Sequence, residues 1–465
     1  MSKIDILLSI NKRKSMQMNT DELSEEQRII FESYLNNENV MMTGAAGCGK
    51  SHIIKKIVED AKSKNKYIEV TALTGCAAVL LECGAKTLHS WAGIGLGITV
   101  HRGVNKIITN LYFDKNKKEK WLNTEILIVD EVSMMSAELF ELLDKIGKKL
   151  RRNNKPFGGI QLIFSGDFYQ LAPIGSEDRP DSSKYCFESE KWNETFDCQI
   201  LLDKSFRHKD KKFVKLLKEI REGEVSKKTI KILESRITKL EDIRPKINNT
   251  RFQTYPIHLM SKKKSVEEMN NYYLNKLEYG THEYKYNVKK GEKIEDHNNI
   301  IPSAAQIKQE EKHLLNNSLI EANLRLKIGA QVMCISNLDI EHGICNGSTG
   351  IIIGFTDVGP KVKFSNNLEL IINKQTWKSE IYKNLSIEQF PLILAWAVTI
   401  HKSQGATIDE GYLDLGSSIF TDGQSYVALS RIRSIEGLYL KAFNPCKIKA
   451  NAKVKEYYKI FSSID

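Results

Sequence analysis

Short apolar runs alternate with amphipathic stretches through the first half of the chain. Val40–Thr43, Ile126–Val129 and Leu162–Phe164 are such runs, and each is followed directly by glycine or polar residues. This alternation is typical of an α/β fold in which helices cover a parallel sheet. In such sheets the residues at the carboxyl ends of the strands line the ligand crevice. We therefore expect functional residues directly after these runs.

The second half also contains apolar runs and amphipathic stretches. Apolar residues recur at helical spacing ahead of Gly223, which is suited to end the helix. These residues are Phe213, Leu216, Leu217 and Ile220. Ser265 and Glu268 have capping-box spacing, which predicts the start of a helix that continues through Leu274. Further apolar runs predict buried strands at Ile257–Met260, Leu392–Val398, Tyr412–Leu415 and Leu438–Leu440.

A region with a different sequence pattern separates these α/β elements. Residues 276–320 are polar and show little pattern, so they form a connection whose structure is poorly predicted. Short strands then follow, with turn signals at Asn346-Gly347 and Asn366-Asn367. The predicted strands are Gln331–Ile335, Ile351–Phe355, Val362–Phe364 and Leu368–Ile372. This pattern predicts a small antiparallel barrel inserted into the second α/β domain.

Composition bears on the charge of the expected partner and on the cellular compartment. The 465 residues suffice for several domains, and 69 Lys+Arg against 58 Asp+Glu give a net charge of +11. That excess favours a polyanionic partner, although a generally basic, solvated surface fits it as well. Eight scattered cysteines form no zinc or disulfide pattern, which favours a reducing compartment such as cytosol, nucleus or a viral replication site. No apolar run is long enough to span a bilayer, so no membrane partner is expected.

One motif has the spacing of a phosphate loop. Gly44-x-x-x-x-Gly49-Lys50-Ser51 lies between a predicted strand and a predicted helix. Glycines in such a loop let backbone N–H groups approach phosphate oxygens, and the helix N-terminus adds positive potential. We expect Lys50 to bridge the β- and γ-phosphates of ATP and Ser51 to bind Mg²⁺. The other residues expected to contact the nucleotide here are Ala45, Ala46, Gly47, Cys48 and His52.

The predicted strand at Ile126–Val129 ends in an acidic pair. Asp130 is suited to hold Mg²⁺ and Glu131 to activate the attacking water. Taken alone, the same pair also fits the N-terminus of a helix, where acidic residues are stabilised by the dipole. Their position directly after a buried strand, downstream of a phosphate loop, favours the functional interpretation.

Four further side chains are candidates whose spacing leaves their roles open. Gln170 is placed to sense the γ-phosphate or orient water, but it also fits an ordinary polar loop residue. Gln27 lies ahead of the first strand and is a candidate to contact the adenine edge, or a surface glutamine. Arg207 and Arg431 are candidates to stabilise charge on the transferred phosphoryl group, or members of surface ion pairs.

Beyond these single residues, a series of longer strings resembles the Pif-type DNA helicases of superfamily one. This branch moves 5′→3′ and includes the bacteriophage Dda and bacterial RecD proteins. The strings run in family order from about residue 22 to about 445. They are Thr71-Ala-Leu-Thr-Gly-Cys-Ala-Ala, Thr87-Leu-His-Ser-Trp91-Ala-Gly, Ile128-Val-Asp-Glu-Val-Ser-Met-Met, Lys155-Pro-Phe-Gly-Gly-Ile-Gln-Leu-Ile-Phe-Ser-Gly-Asp-Phe-Tyr-Gln-Leu-Ala-Pro173, Ser205-Phe-Arg-His, Leu326-Lys-Ile-Gly-Ala-Gln-Val-Met, Asn346-Gly-Ser-Thr-Gly, Leu394-Ala-Trp-Ala-Val-Thr-Ile-His-Lys-Ser-Gln-Gly405 and Tyr426-Val-Ala-Leu-Ser-Arg431.

The resemblance implies roles for residues at matching positions. It puts Arg207 and Arg431 beside the γ-phosphate, and Gly405 in the segment that links DNA to nucleotide. It also implies single-stranded DNA contacts at Thr74, Gly75, His89, Pro173, Lys262, Asn346, Thr399, His401 and Lys402. Two departures bear on these roles. His208 stands where the family usually has glutamine, which affects positioning near Arg207, and Lys262 replaces a common arginine while keeping a phosphate contact.

The resemblance also implies a domain organisation. We expect two RecA-like parallel-sheet domains, a small wedge insertion and an inserted SH3-like β-barrel. The expected boundaries are a short N-terminal arm at 1–20, domain 1A at 21–205 with the wedge at about 93–120, domain 2A at 206–275 and 391–465, and domain 2B at 276–390. The long N-terminal region of many relatives has no counterpart, so we expect a nearly minimal helicase core.

As a whole, the resemblance implies an ATP-dependent 5′→3′ DNA helicase. It would use Mg²⁺ and ATP, bind single-stranded DNA and single-strand/duplex junctions, and act as a monomer. An RNA helicase with the same engine is an alternative, because contacts to the 2′-OH are not visible in a sequence. A nucleic-acid-binding scaffold with an inactive nucleotide site is a further alternative, and the intact Lys50, Asp130 and Arg431 argue against it.

Overall fold

The structure is a computed structural model that describes residues 23–81, 83–94, 104–173, 175, 180–207, 210–243, 254–296, 301–317, 320–339, 341–379, 382–400 and 402–461. The predicted arm at 1–20 lies outside the described residues, as do His208, His401 and part of the predicted wedge. Within the described ranges, no helix combines the length and apolar character that crossing a membrane requires.

The first half forms a six-stranded sheet in which every described pairing is parallel, with strand order β3-β2-β4-β5-β1-β6. This confirms the predicted α/β class for this half. The strands are β1 (Val40–Gly44), β2 (Ile68–Ala72), β3 (Lys86–Thr87), β4 (Ile126–Asp130), β5 (Gln161–Gly166) and β6 (Cys198–Leu202). The helices are α1 (Glu25–Leu35), α2 (Lys50–Ser63), α3 (Gly75–Leu81), α4 (Leu88–Ala92), α5 (Val104–Phe113), α6 (Lys115–Asn123), α7 (Ala137–Arg151) and α8 (Trp192–Thr195). We call β1–β6 and α1–α8 the first lobe.

The second half contains a four-stranded parallel sheet and three antiparallel ones. Its strands are β7 (Ile257–Met260), β8 (His282–Lys285), β9 (Asn287–Asp296), β10 (Asn323–Leu326), β11 (Gln331–Cys334), β12 (Thr349–Phe355), β13 (Pro360–Phe364), β14 (Glu369–Ile371), β15 (Gln375–Lys378), β16 (Tyr382–Gln389), β17 (Leu392–Leu394), β18 (Ala397–Thr399), β19 (Gly411–Leu415) and β20 (Leu438–Phe443). Its helices are α9 (Lys211–Glu222), α10 (Lys227–Glu234), α11 (Lys263–Lys276), α12 (Ala304–Asn317), α13 (Gln424–Leu429) and α14 (Ala452–Tyr458). We call the parallel sheet β18-β7-β19-β20 with α9–α11 and α13 the second lobe.

The predicted strand Leu392–Val398 is two strands in different sheets. Residues 392–394 pair with β11 in the antiparallel sheet, and residues 397–399 pair with β7 in the parallel sheet. Asn270 stabilises the break, because its amide donates to the Ala397 carbonyl and accepts from the Ala397 N–H, both at 2.9 Å. An apolar run cannot reveal such a crossing, since both halves of the run are buried.

Another local prediction, the capping box at Ser265 and Glu268, is wrong. Helix α11 begins at Lys263, and its N-cap Lys262 makes no side-chain capping bond, so Ser265 lies inside the first turn and forms no capping box. The connection predicted at 276–320 contains β8, β9 and α12. The residues of β8 are mostly exposed, which removes the apolar signal that marks a buried strand.

The inserted region is antiparallel, as its turn signals indicate. Strands β14-β13-β12-β11-β17 form a five-stranded sheet, and β15-β16-β9 form a three-stranded one. Apolar residues of the five-stranded sheet, among them Val332, Ile352 and Phe364, pack into a core separate from those of the first lobe. Closure of these strands into an SH3-like barrel stays a prediction.

The Lys155-Pro-Phe-Gly-Gly string has a structural basis. Phe157 has a φ of 50°, and its N–H donates to the buried Asp144 carboxylate of α7 at 3.0 Å. Its ring packs 5.3 Å from that of Phe140 in the first-lobe core. A Cβ on Gly147 would lie 2.5 Å from the Phe157 carbonyl carbon and oxygen, so α7 needs glycine at this approach.

Helix α14 follows the second lobe in sequence but packs on the first. The Tyr457 ring stacks on Phe187 at a centroid distance of 4.5 Å, and the Tyr458 ring lies 4.6 Å from Tyr169. Lys453 of the same helix forms an ion pair with Glu188. The end of the described chain therefore ties the two lobes together.

We predict that Gly147→Ala lowers the thermal midpoint of unfolding. The added methyl group meets rigid backbone rather than a flexible side chain, and overpacking of this kind costs about 1–3 kcal/mol. Gly280→Ala is the matched control, because a methyl group added there would meet no other part of the described protein within 4 Å. Equal midpoints for the two variants in differential scanning calorimetry would contradict the close approach of α7 to Phe157.

Candidate nucleotide and DNA sites

The predicted phosphate loop joins the end of β1 to the start of α2. Helix α2 begins at Lys50, and its N-cap Gly49 has a φ of 89° and provides no side-chain cap. The helix N-terminus is therefore available to an anion, which its dipole favours. The Lys50 ammonium lies across the mouth of the loop and donates to the carbonyls of Gly44 at 2.6 Å and Ala45 at 3.0 Å.

The acidic pair lies at the carboxyl end of β4, as the sequence predicts. Asp130 is the last residue of the strand, and Glu131 follows in a left-handed conformation with a φ of 57°. Burial raises the pKa of Asp130, and burial together with the neighbouring Asp130 charge raises the pKa of Glu131 to about 7. A carboxylate with a raised pKa is well suited to accept a proton near neutral pH.

A second-lobe side chain holds Glu131. The Gln404 amide donates from Nε2 to Oε2 of Glu131 at 3.1 Å. Gln404 belongs to the segment that follows β18, between Lys402 and Gly405. This contact connects the acidic pair of the first lobe with a segment that the resemblance assigns to DNA.

The two candidate arginines lie side by side. Arg431 is 2% exposed and donates to the Val427 carbonyl and to Oγ of Ser430, while Arg207 donates to the Ser430 carbonyl at 3.4 Å. Burial, followed by the nearby Arg207 charge, lowers the pKa of Arg431 to about 10. Burial also lowers the pKa of Arg207. Glu131 attracts both guanidinium groups, but their mutual repulsion and burial leave room for an anionic ligand to stabilise them.

These groups face one cleft of about 530 Å³ between the lobes. The predicted nucleotide-site residues that line it are Ala46, Gly47, Gly49, Lys50, Ser51, His52, Asp130, Glu131, Gln170, Arg207, Gly405 and Arg431. The remaining loop residues Gly44, Ala45 and Cys48 do not line the cleft. Thr74 and Asn346, whose predicted contacts are with DNA, line this same cleft.

The two candidate glutamines are both buried. Gln27 is 1% exposed, donates to the Gly49 carbonyl at 3.3 Å and accepts from the Ser24 N–H at 3.0 Å. This burial excludes the surface-glutamine interpretation. Gln170 is 4% exposed, lines the cleft, and its buried Oε1 accepts no hydrogen bond from the described residues. An unsatisfied buried acceptor in a polar cleft calls for a water or ligand partner.

The other predicted DNA residues are spread over several surfaces. Thr399 and Lys402 line a separate groove of about 250 Å³, together with Lys263, Arg325 and Asn270, which the sequence did not single out. Thr74 caps α3, which begins at Gly75, by accepting from the Ala77 N–H at 3.2 Å. His89, Pro173 and Lys262 line neither cavity, and burial lowers the pKa of His89.

A buried polar cluster lies beneath the phosphate loop, and the sequence analysis missed it. Asp167, directly after β5, accepts from Arg221 of α9 at 2.9 and 3.1 Å and from the hydroxyls of Tyr426 and Tyr458 at 3.0 and 3.2 Å. Burial opposes ionisation, yet the Arg221 charge lowers the pKa of Asp167. No local pattern marks this cluster, because its members lie on four separate segments.

The residues present fit a magnesium nucleotide. The helix N-terminus and Lys50 suit phosphates, and the exposed Ser51 and the Asp130 carboxylate offer the oxygen ligands that Mg²⁺ prefers. Arg207 and Arg431 complete a positive wall opposite them. Two parallel sheets with this cleft define an α/β protein of the two-lobed phosphate-loop class.

Comparison with known proteins gives the family. The profile of PIF1-like helicases matches residues 22–231, and that of the 2B domain of the DNA helicase Pif1 matches residues 311–355. The chain is 33% identical to the ATP-dependent DNA helicase PIF1 of Homo sapiens over 452 residues, which is 96% of this chain and 65% of the human protein. The corresponding protein of Danio rerio is 35% identical, with 94% and 64% covered. The chain thus spans slightly less than two thirds of these relatives.

Solved structures agree. The crystal structure of Pif1 helicase from Candida albicans is 34% identical with a TM-score of 0.72, and 94% of this chain and 99% of that chain are covered. Bacteroides sp Pif1 in complex with ADP-AlF4 is 29% identical with a TM-score of 0.76, and 95% and 97% are covered. The chain belongs to the PIF1-like helicase family.

We predict that Arg221→Met destabilises the protein by about 3–5 kcal/mol, because it leaves the Asp167 carboxylate buried without its cation. The neutral pair Asp167→Asn with Arg221→Met recovers part of this loss, since no unmatched charge remains. Thermal unfolding of the two variants and the wild type measures both effects. A wild-type midpoint for Arg221→Met alone would show that the ion pair does not stabilise the fold.

Proposed function

We propose that this protein is an ATP-dependent DNA helicase that translocates 5′→3′ on single-stranded DNA and unwinds duplex DNA. The observation that carries this proposal is the cleft in which Lys50, Asp130 and Glu131 of the first lobe face Arg431 of the second. Family membership supports it, since the similar proteins of Homo sapiens and Danio rerio bear the name ATP-dependent DNA helicase. The 5′→3′ direction rests on the resemblance of the motifs.

In this proposal each cleft residue has one task in ATP hydrolysis. The loop N–H groups and Lys50 hold the phosphates, and Glu131 accepts the proton of the attacking water. Gln170 orients that water, while Arg207 and Arg431 stabilise the charge that develops on the transferred phosphoryl group. A magnesium ion, held by Ser51 and Asp130, would neutralise phosphate charge during the reaction.

The same cleft is suited to couple hydrolysis to movement. The triphosphate attracts cations of both lobes, so its binding favours closure and its hydrolysis favours opening. Lys402 and Gln404 both follow β18. Lys402 lines the groove of about 250 Å³, which we propose binds DNA and call the DNA groove, whereas Gln404 contacts Glu131. A change in the separation of the lobes therefore changes the grip on the strand.

The DNA groove is suited to backbone contacts. Lys263, Arg325 and Lys402 bring positive charge to its walls, and Asn270 and Asn271 add polar groups. Glu267 and Glu321 also line the groove, where they pair with Lys263 at 3.6 Å and Lys402 at 3.8 Å, so a bound strand competes with these two exposed ion pairs. Such contacts favour sequence-tolerant, salt-sensitive binding of a single strand. The structure of Bacteroides Pif1 with ADP-AlF3 and ssDNA, 30% identical with a TM-score of 0.63, supports DNA as the polymer.

We predict that Lys50→Ala lowers DNA-stimulated ATP hydrolysis by at least about 100-fold, as expected when a preorganised charge at the reacting phosphate is removed. Binding of a fluorescent single-stranded oligonucleotide stays within about twofold, because Lys50 lies in the cleft and outside the DNA groove. Lys62→Ala, on an exposed position of the same helix, is the control and keeps wild-type turnover. Rapid hydrolysis by Lys50→Ala would refute the assignment of the site.

We also predict that ATP drives unwinding of duplexes with a 5′ single-stranded tail and leaves those with only a 3′ tail intact. Strand separation is followed by fluorescence dequenching, with omission of ATP as control. Equal unwinding of both substrates would refute the polarity. Faster unwinding of a duplex with a 5′ RNA tail would favour the RNA helicase alternative.

A further inference from the structure

The hydroxyl group of Tyr426 connects the phosphate loop to the second lobe. It lies 3.0 Å from the backbone nitrogen of Ala46 and 3.0 Å from Oδ2 of Asp167. Tyr426 itself is 2% exposed and does not line the cleft. Its ring belongs to α13 of the second lobe, whereas both of its hydrogen-bond partners belong to the first.

The directions of these two hydrogen bonds are fixed. The Ala46 N–H can only donate, and the ionised Asp167 can only accept, so the hydroxyl accepts from the loop and donates to the carboxylate. Arg221 keeps the carboxylate ionised through contacts at 2.9 and 3.1 Å. Burial raises the pKa of Tyr426 far above the ordinary range, so the hydroxyl retains its proton.

The turn of α13 that carries Tyr426 also holds Arg431. Nε of Arg431 donates to the carbonyl of Val427, the residue after Tyr426, at 3.1 Å. The Arg431 backbone N–H donates to the carbonyl of Ala428, which completes the turn. A shift of Tyr426 relative to the phosphate loop would therefore also shift the Arg431 guanidinium.

We infer that Tyr426 is a positioning residue that sets the distance between the phosphate loop and Arg431. Its hydroxyl fixes α13 against Ala46, so that Arg431, which lies directly after the C-cap of that helix, reaches the γ-phosphate. The inference rests on the proposed ATP hydrolysis and adds a residue that touches neither nucleotide nor DNA. It predicts that loss of the hydroxyl slows ATP hydrolysis but leaves ADP binding unchanged, because ADP lacks the γ-phosphate that Arg431 contacts.

Tyr426→Phe tests this with Tyr458→Phe as a matched control. Both changes remove one hydroxyl from Asp167, but the Tyr458 hydroxyl contacts Thr43 and the Phe168 N–H and makes no bond to Ala46. For Tyr426→Phe we expect a DNA-stimulated kcat about tenfold lower, the size of one lost hydrogen bond. KM for ATP and the Kd of ADP stay within about twofold. For Tyr458→Phe we expect a lowered melting temperature and a kcat within about twofold of wild type.

A double variant shows whether Tyr426 acts through Arg431. In an Arg431→Lys background, Tyr426→Phe should lower the remaining kcat by less than about twofold, because the group that it positions is gone. A tenfold further loss there would overturn the inference, as would equal loss of kcat in the two single tyrosine variants. A weakened Kd for ADP in Tyr426→Phe would also overturn it. Absence of ATP hydrolysis in the wild type would refute the proposed function itself, and this inference with it.

Discussion

The ion pair between Asp167 and Arg221 is the constraint on which the arrangement of the lobes depends. Two charges removed from water are costly unless each is matched and hydrogen-bonded. Asp167 meets this condition through Arg221 on α9, Tyr426 on α13 and Tyr458 on α14. Because its partners lie on three different helices, the carboxylate is satisfied in one arrangement of them. A movement that opens the cleft must pivot near Asp167, or it breaks the pair.

The phosphate loop and the acidic pair of the candidate nucleotide site could be predicted because their signals are local. The phosphate loop is a contiguous motif, and Asp130 and Glu131 lie at the carboxyl end of β4, within eight consecutive residues that resemble the family. Parallel strands place their carboxyl ends at one edge, so strand position alone brought the loop and the acidic pair together. The same logic located Gln170, four residues beyond the end of β5.

Residues that join the lobes could not be predicted in this way. Gln404 contacts Glu131 across 273 positions, and Tyr426 contacts Asp167 across 259. Nothing in the residues around either partner specifies the other, because the contact is set by how α13 and the segment after β18 dock on the first sheet. The division of Leu392–Leu394 from Ala397–Thr399 has the same cause, since Asn270 on α11 satisfies the backbone where the strands part.

The residues that join the lobes also hold the charged side chains of the cleft in place. Burial lowers the pKa of Arg207 and Arg431 and raises that of Asp130 and Glu131, so desolvation disfavours the charged form of all four. A bound polyanion would offset the desolvation of the two arginines. The acidic pair instead needs cations or hydrogen-bond donors such as Gln404. Arg207 repels Arg431, although the Glu131 carboxylate attracts both guanidinium groups. Hydrogen bonds that the Arg431 guanidinium donates to the Val427 carbonyl and to Oγ of Ser430, together with α13 anchored through Tyr426, hold Arg431 in place against that repulsion.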